Sequence, residues 1–230
     1  MVNSYRNIVR IKVVAKALQE LNNKVVFVGG AVVDLYADDP TRGEIRPTDD
    51  VDVFIEIVSR INYVEIEEKL REIGFKNDME SNVICRYKYH DIIVDVMPDD
   101  ETVLGFANTW YKKGINSCQL IKLDGVEVTI LDVPYFLATK FEALNSKRHG
   151  DDFRLNSDFE DIIYIFDNRT SILQDILSAD DISKHFLKTS IGAFLIRPNI
   201  EEEVSANLER SNQIYRKNKI MQIWRNICKK

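Results

Sequence analysis

The chain has 230 residues, of which 45% are hydrophobic, with nine Gly and five Pro. That is the make-up of a globular protein with one large or two small domains, and it excludes a disordered, collagen-like or linker-dominated chain. Thirty-one Lys plus Arg face 37 Asp plus Glu, for a net charge of −6, which disfavours a protein that coats nucleic acid by bulk charge alone.

No run approaches the ~18 apolar residues of a membrane span. Charges at Arg6, Arg10, Lys12 and Lys16 leave the first residues without a signal-peptide apolar core. Asn3 or Ser4 can cap a first helix carrying Ile8, Ile11, Val14, Leu18 and Leu21 at helical spacing. Lys24 to Val28 is a short apolar β run ended by Gly29-Gly30, and Ala31 to Tyr36 reads as a short helix. Asp38 to Pro47 is a loop broken by Pro40, Gly43 and Pro47. Asp50 to Ile57 alternates as a strand, and Ile61 to Ile73 is an amphipathic helix stopped by Gly74.

Val83 to Tyr89 and Ile92 to Met97 predict a hairpin around His90-Asp91. Gln119 to Lys122 and Val126 to Leu131 predict a second around Asp124-Gly125. After Asp132 the pattern is helical, with helices expected over 157–167, 171–178, about 181–196 and about 200–228. The fold class is α+β: a mixed sheet over residues 1–131 with helices packed on it, then a helical domain over 132–230. Cys85, Cys118 and Cys228 are odd in number and form no C-x-x-C pair. Neither a disulfide scaffold nor a cysteine zinc site is expected, and a cytoplasmic location is.

Asp50-Val51-Asp52-Val53-Phe54-Ile55 carries the most chemistry. On a strand, Asp50 and Asp52 share one face, while Val51, Val53 and Ile55 face a core. Adjacent carboxylates repel unless a cation joins them, and hard cations such as Mg²⁺ take oxygen ligands. In Ile92 to Met97, Asp95 stands on the face opposite Ile92, Val94 and Val96. If this strand lies beside 50–57, three carboxylates converge, enough to hold metal for phosphoryl transfer. Gly29-Gly30, between a strand end and a helix start, permits close approach of a phosphate.

Gly29-Gly30, Arg46-x-Thr48-x-Asp50-Val51-Asp52 and Val94-Asp95-Val96 together resemble the nucleotidyltransferase superfamily with the DNA polymerase β-like fold. Within it they are closest to the AbiEii-type nucleotidyltransferase toxins of bacterial abortive-infection and type IV toxin–antitoxin systems. Further matching stretches are Ile84-Cys85-Arg86, Val94 to Pro98, Leu104-Gly105-Phe106, Pro134 to Ala143 and Ser157 to Arg169. The resemblance covers most of residues 24–170. It implies that Gly29 and Gly30 shape a triphosphate loop, with Arg46 and Thr48 near the phosphates. It assigns Asp50, Asp52 and Asp95 to Mg²⁺ (or Mn²⁺), and Asp95 also to deprotonating the acceptor. Lys140 matches a lysine that contacts the phosphates, and Asp158 and Asp161 match an acidic helical motif. Residues 132–170 would thus complete the active site. Two positions depart from the pattern. Val33 stands where tRNA CCA-adding enzymes carry Arg, and Ser157 where other members often carry a basic residue.

The implied activity is transfer of NMP from an NTP such as ATP to an acceptor hydroxyl, with release of pyrophosphate. RNA, in particular a tRNA 3′ end, is the implied acceptor, and a toxin role would bring a cognate antitoxin. Two other functions stay open: a small-molecule, antibiotic-type nucleotidyltransferase, and a catalytically inactive nucleotide-sensing or interaction module.

Bland alternatives also stay open. Lys140 lies at the edge of an apolar stripe with Phe136 and Leu144, where a lysine either snorkels or meets an anion. Asp158 and Asp161 could simply complement a helix dipole. Arg42 and Arg46 could be solubilising loop residues, and Thr48 a turn cap. Trp110-Tyr111 reads as packing, and His90, His149 and His185 fit no metal-ligand spacing. At the end of the chain, seven of the 31 basic residues lie in 210–230, which holds no acid; the other 24 face 37 acids over 1–209, a net of −13. Along 207–228, Leu208, Ile214, Ile220, Met221, Ile223 and Trp224 interleave with Arg and Lys. That segment either packs as an amphipathic helix or offers Arg216, Lys217 and Lys219 to an RNA backbone.

Overall fold

The structure, a computed structural model, describes residues 2–21, 24–57, 60–145 and 152–229. It comprises two compact units: Met1–Val32 with Glu44–Asp132, and Val33–Gly43 with Val133–Lys230.

The strands of the first unit are β1 (Val25–Val28), β2 (Asp50–Ile55), β3 (Lys76–Asn77), β4 (Arg86–Tyr89), β5 (Ile92–Pro98), β6 (Cys118–Leu123) and β7 (Val126–Leu131). They form one mixed sheet in the order β3-β4-β5-β2-β1-β7-β6. The three central strands, β5, β2 and β1, are rich in β-branched residues that suit a packed pleated surface. Val26, Phe27, Val28, Val51, Val53, Ile55, Val94 and Val96 are all buried. β2 runs antiparallel to β1 and parallel to β5. Both expected hairpins form: His90 takes φ 52° in the first, and Asp124 and Gly125 take φ 47° and 85° in the second. Two successive positive-φ residues match the right-handed twist of the strands they join.

Helix α1 (Val2–Leu18) buries Ile11, Val14 and Leu18. It is not capped by Asn3 or Ser4, as the sequence suggested. The helix already begins at Val2, and the Glu44 carboxylate accepts from the amides of Val2 (3.0 Å), Asn3 (2.7 Å) and Ser4 (3.4 Å). A carboxylate at this end also complements the helix dipole. α2 (Arg60–Glu72) stops before Gly74, whose φ of 101° is the left-handed exit expected of it. Two short helices have no periodic signal: α3 (Glu101–Leu104) and α4 (Thr109–Gly114). They form because Asp100 and Asn108 accept amide hydrogens from Thr102 and Trp110. α4 places the Tyr111 ring on Phe54 with centroids 4.5 Å apart. The face of β2 that bears Asp50 and Asp52 is therefore polar at its start and apolar by its fifth residue.

The second unit contains α5 (Val133–Leu144), α6 (Ser157–Asn168), α7 (Ile172–Leu177), α8 (Asp181–Leu195), α9 (Ile200–Ala206) and α10 (Gln213–Lys229). Its core centres on Phe194, with ring centroids 5.0 Å from Phe141 and 5.5 Å from both Phe159 and Trp224. The segment 33–43 belongs to this unit, which a boundary near 131 does not anticipate. Tyr36 packs its ring 4.6 Å from Phe136, and Arg169 Nη1 donates to the Tyr36 carbonyl at 2.9 Å. Asp34 accepts from Arg42 Nε (2.9 Å) and the Tyr164 hydroxyl (2.6 Å).

The helix expected over about 200–228 is two helices. The break holds Asn207, Ser211 and Asn212, residue types whose side chains compete for backbone groups, and Asn212 adopts φ 57°. Asn207 Nδ2 donates to the Glu203 carbonyl at 2.8 Å, and Gln213 Nε2 to the Ser205 carbonyl at 2.7 Å. Ile214, in the first turn of α10, is 75% exposed although it lies seven residues before the buried Met221 in the same helix. Ile220, Met221 and Trp224 stay buried. Among the described residues no helix is long and apolar enough to cross a membrane.

Trp224 touches Phe166 as well as Phe194 and has no exposed surface. Trp224→Ala should cost about 3–5 kcal/mol of stability, read by urea denaturation, because the rings around it cannot collapse to fill the void.

Candidate active site

Strand register assembles an acidic cluster in the first unit. Asp52 lies opposite Asp95 across the parallel β2–β5 pair and opposite Val28 across the antiparallel β1–β2 pair. Each of Asp50, Asp52 and Asp95 offers a carboxylate oxygen within 4.8 Å of the others. Oxygens on opposite sides of one hard divalent cation stand about 4–5 Å apart, so the donor set fits such an ion in both chemistry and span.

Gly29 is necessary to this arrangement. Its φ is 72°, and a Cβ built on it would overlap the Asp52 carboxylate. At Gly30 a Cβ would run into the Arg46 guanidinium, so that charge rests against the glycine backbone. Thr48 is buried, and its hydroxyl donates to Asp50, 3.2 Å from Oδ1 and 3.1 Å from the main-chain oxygen. Arg10 Nη1 in turn donates to the Thr48 carbonyl at 2.6 Å. The sequence candidates Gly29, Gly30, Arg46, Thr48, Asp50, Asp52 and Asp95 thus lie together.

The sequence reading gave no role to Arg86. Its Nε donates to Asp95 Oδ1 at 2.7 Å, and its Nη2 to Asp95 Oδ2 at 2.7 Å and to Asp50 Oδ2 at 3.0 Å. The hydrogen bonds it donates to Asp95, and then the charges of all three acids, outweigh the effect of partial burial and hold the guanidinium firmly protonated. A signal for it existed. A two-residue turn at 90–91 makes Arg86 the cross-strand partner of Asp95, which is the observed register.

Lys140, Asp158 and Asp161 belong to the second unit, where they form a triad. Lys140 Nζ is 2.9 Å from Asp158 Oδ1 and 2.7 Å from Asp161 Oδ2, which joins α5 to the first turns of α6. Burial alone would push the lysine pKa down; the two carboxylates more than offset this and hold it above the ordinary range. Asn156 caps α6 through the amides of Asp158 (2.9 Å) and Phe159 (3.1 Å).

The three basic residues singled out in the C-terminal segment also have partners within their unit. Arg216 Nε is 3.0 Å from Asp167 Oδ2, Lys219 Nζ donates to the Asp167 carbonyl at 2.7 Å, and Lys217 Nζ is 2.6 Å from Glu201 Oε2. Arg42 is committed to Asp34. Trp110 and Tyr111 are buried packing residues. His149 and Lys230 lie outside the described residues.

The fold is similar to that of a solved structure, a nucleotidyltransferase-like protein. It is a nucleotidyltransferase-like fold. An antigenic nucleotidyltransferase-like protein from Paracoccidioides brasiliensis is similar with a TM-score of 0.50 and 16% identity, covering 91% of this chain and 96% of that one. The antibiotic-resistance factor ANT(2'')-Ia is less alike, with a TM-score of 0.47 and 15% identity over 83% of this chain and 95% of that one. At such identities the likeness is one of fold. No protein-family model matches the chain, and no curated protein matches it in sequence.

Two substitutions test how these groups are held. Gly29→Ala places a methyl in the Asp52 carboxylate at a positive φ and should destabilise the first unit by about 1–3 kcal/mol in chemical denaturation. Lys140→Met leaves Asp161, 1% exposed, as a buried charge without its ammonium, and should cost about 3–5 kcal/mol. Burial disfavours the charged form of a carboxylate, so the deficit should shrink as pH falls and protonation removes the charge. The double variant Lys140→Met, Asp161→Leu should recover most of the loss at neutral pH.

Proposed function

We propose that this chain is a divalent-metal-dependent nucleotidyltransferase that moves NMP from an NTP to an acceptor hydroxyl and releases pyrophosphate. The observation that carries this reading is the convergence of Asp50, Asp52 and Asp95 within 4.8 Å under a glycine loop. Three carboxylates brought to one point by strand register repel one another, and a divalent cation would offset more of that charge than the single positive charge of Arg86. The nucleotidyltransferase-like fold is consistent with it.

Asp50, Asp52 and Asp95 would hold Mg²⁺ or Mn²⁺, which when bound neutralises phosphate charge and activates an oxygen nucleophile. The chain's own residues prepare the rest. Gly29-Gly30 opens the backbone to a triphosphate, Arg46 rests its positive charge against Gly30, and Thr48 fixes the Asp50 carboxylate. Catalysis of this kind is mostly positioning and charge stabilisation. The resemblance also gives Lys140 to the phosphates; that role requires its ammonium to leave Asp158 or Asp161.

RNA is the acceptor we propose, and an AbiEii-like toxin with a cognate antitoxin the biological setting; both rest on the matching stretches within residues 24–170. Contact with RNA through Arg216, Lys217 and Lys219 would have to open the pairs they make with Asp167 and Glu201.

The test is transfer of label from each α-³²P NTP, with Mg²⁺ or Mn²⁺, to total tRNA and, separately, to an aminoglycoside pool. Label should appear on RNA and fall by about 10²–10³-fold in Asp50→Asn and Asp52→Asn. Label on the small molecules alone would replace the acceptor, and NTP binding without transfer to any acceptor would leave a nucleotide sensor.

A further inference from the structure

We propose that Arg86 is a displaceable counter-ion of the carboxylate cluster. It holds Asp50 and Asp95 together in the metal-free chain, and a divalent cation binds by driving its guanidinium off them. The inference rests on the metal-site reading above, which gives Arg86 no part.

Three observations carry it. The first is what Arg86 occupies. Its Nε and Nη2 take both oxygens of Asp95, and Nη2 also takes Oδ2 of Asp50. Two of the three candidate metal ligands therefore have oxygens committed to a cation already.

The second is chemical. A guanidinium has five donors and no acceptor, and it does not lose its proton. It cannot enter a coordination shell, so it competes for the same oxygens. Two cations within a few ångströms also repel. Metal and guanidinium therefore compete for the Asp95 oxygens.

The third is mechanical. Cross-strand pairing with Asp95 fixes the Arg86 backbone in β4, so the exchange needs only side-chain rotation. The side chain is 23% exposed, which leaves the guanidinium a route to solvent. Either cation offsets part of the cluster's charge, so Asp50 and Asp95 do not face one another bare. Arg86 is thus a positioning residue: it keeps the ligands gathered before metal arrives and weakens metal binding by the interaction it gives up.

The test compares Mn²⁺ binding to the full chain by calorimetry in wild type, Arg86→Gln and Arg86→Lys. Arg86→Gln keeps the aliphatic stem and removes the charge. It should bind Mn²⁺ about tenfold more tightly or better, since a charge-assisted bidentate pair no longer has to break. Its metal-free melting temperature should fall and recover at saturating Mn²⁺. Arg86→Lys, which keeps the charge but loses the fork, should lie between.

A second measurement needs no variant. In wild type, saturating Mg²⁺ should shift the Arg86 Nε–Hε NMR signal and speed its exchange with water; this arm decides the matter if Arg86→Gln fails to fold. Equal or weaker Mn²⁺ binding by folded Arg86→Gln, or an Arg86 signal that Mg²⁺ leaves unmoved, overturns the inference and leaves the metal-site reading intact. Mn²⁺ bound by neither wild type nor variant overturns both.

Discussion

Mutual repulsion among Asp50, Asp52 and Asp95 is the constraint around which the first unit is built. Strand pairing brings the three acids to one point, and Coulomb's law opposes leaving them there. The surroundings answer that repulsion in two ways. Arg86 reaches across from the neighbouring strand with a bidentate fork, and Thr48 donates a hydrogen bond to the first carboxylate. On the other side of β2, only glycine at position 29 leaves room for the Asp52 side chain.

The same strands explain why the cluster can be both polar and rigid. Val51, Val53 and Ile55 anchor one face of β2 in the core, while Phe54 under Tyr111 closes the other face a few ångströms further along. The carboxylates project from a backbone fixed by apolar packing on both sides, so little conformational freedom remains to be lost when a charged ligand binds. The second unit solves a similar problem differently. There Lys140 is enclosed with two acids, so the positive charge is balanced inside the unit, and the triad ties α5 to α6.

The charge distribution read from the sequence changes meaning once geometry is known. The last 21 residues carry seven bases and no acid, which suggests a free basic surface. In the folded unit Arg216, Lys217 and Lys219 are matched to Asp167 and Glu201. A charge excess counted along a segment measures composition; whether it is available to a partner depends on which acids the fold brings beside it. The partly exposed Lys217–Glu201 pair can open at modest cost, whereas opening Arg216–Asp167 would strand a buried carboxylate.

The sequence by itself determined the elements whose signals are local. Alternation in 50–55 and 92–97, the Asp124-Gly125 turn and the helices over 157–167, 171–178 and 181–196 appear where expected, because period and turn chemistry are properties of a few adjacent residues. It also supplied each of the three acids and both glycines. What it did not determine depends on distant partners. Glu44 capping α1, the inclusion of 33–43 in the helical unit, and the break at 207–212 each involve groups far apart in the chain or a balance no short window contains. The parallel pairing of β2 with β5 was a conditional in the sequence and became a fact only in the sheet, since no turn links those strands. Arg86 stands between the two cases. Its alignment with Asp95 was implicit in a two-residue turn, but its hold on Asp50 required that β2 lie alongside β5, and only the tertiary structure decides that.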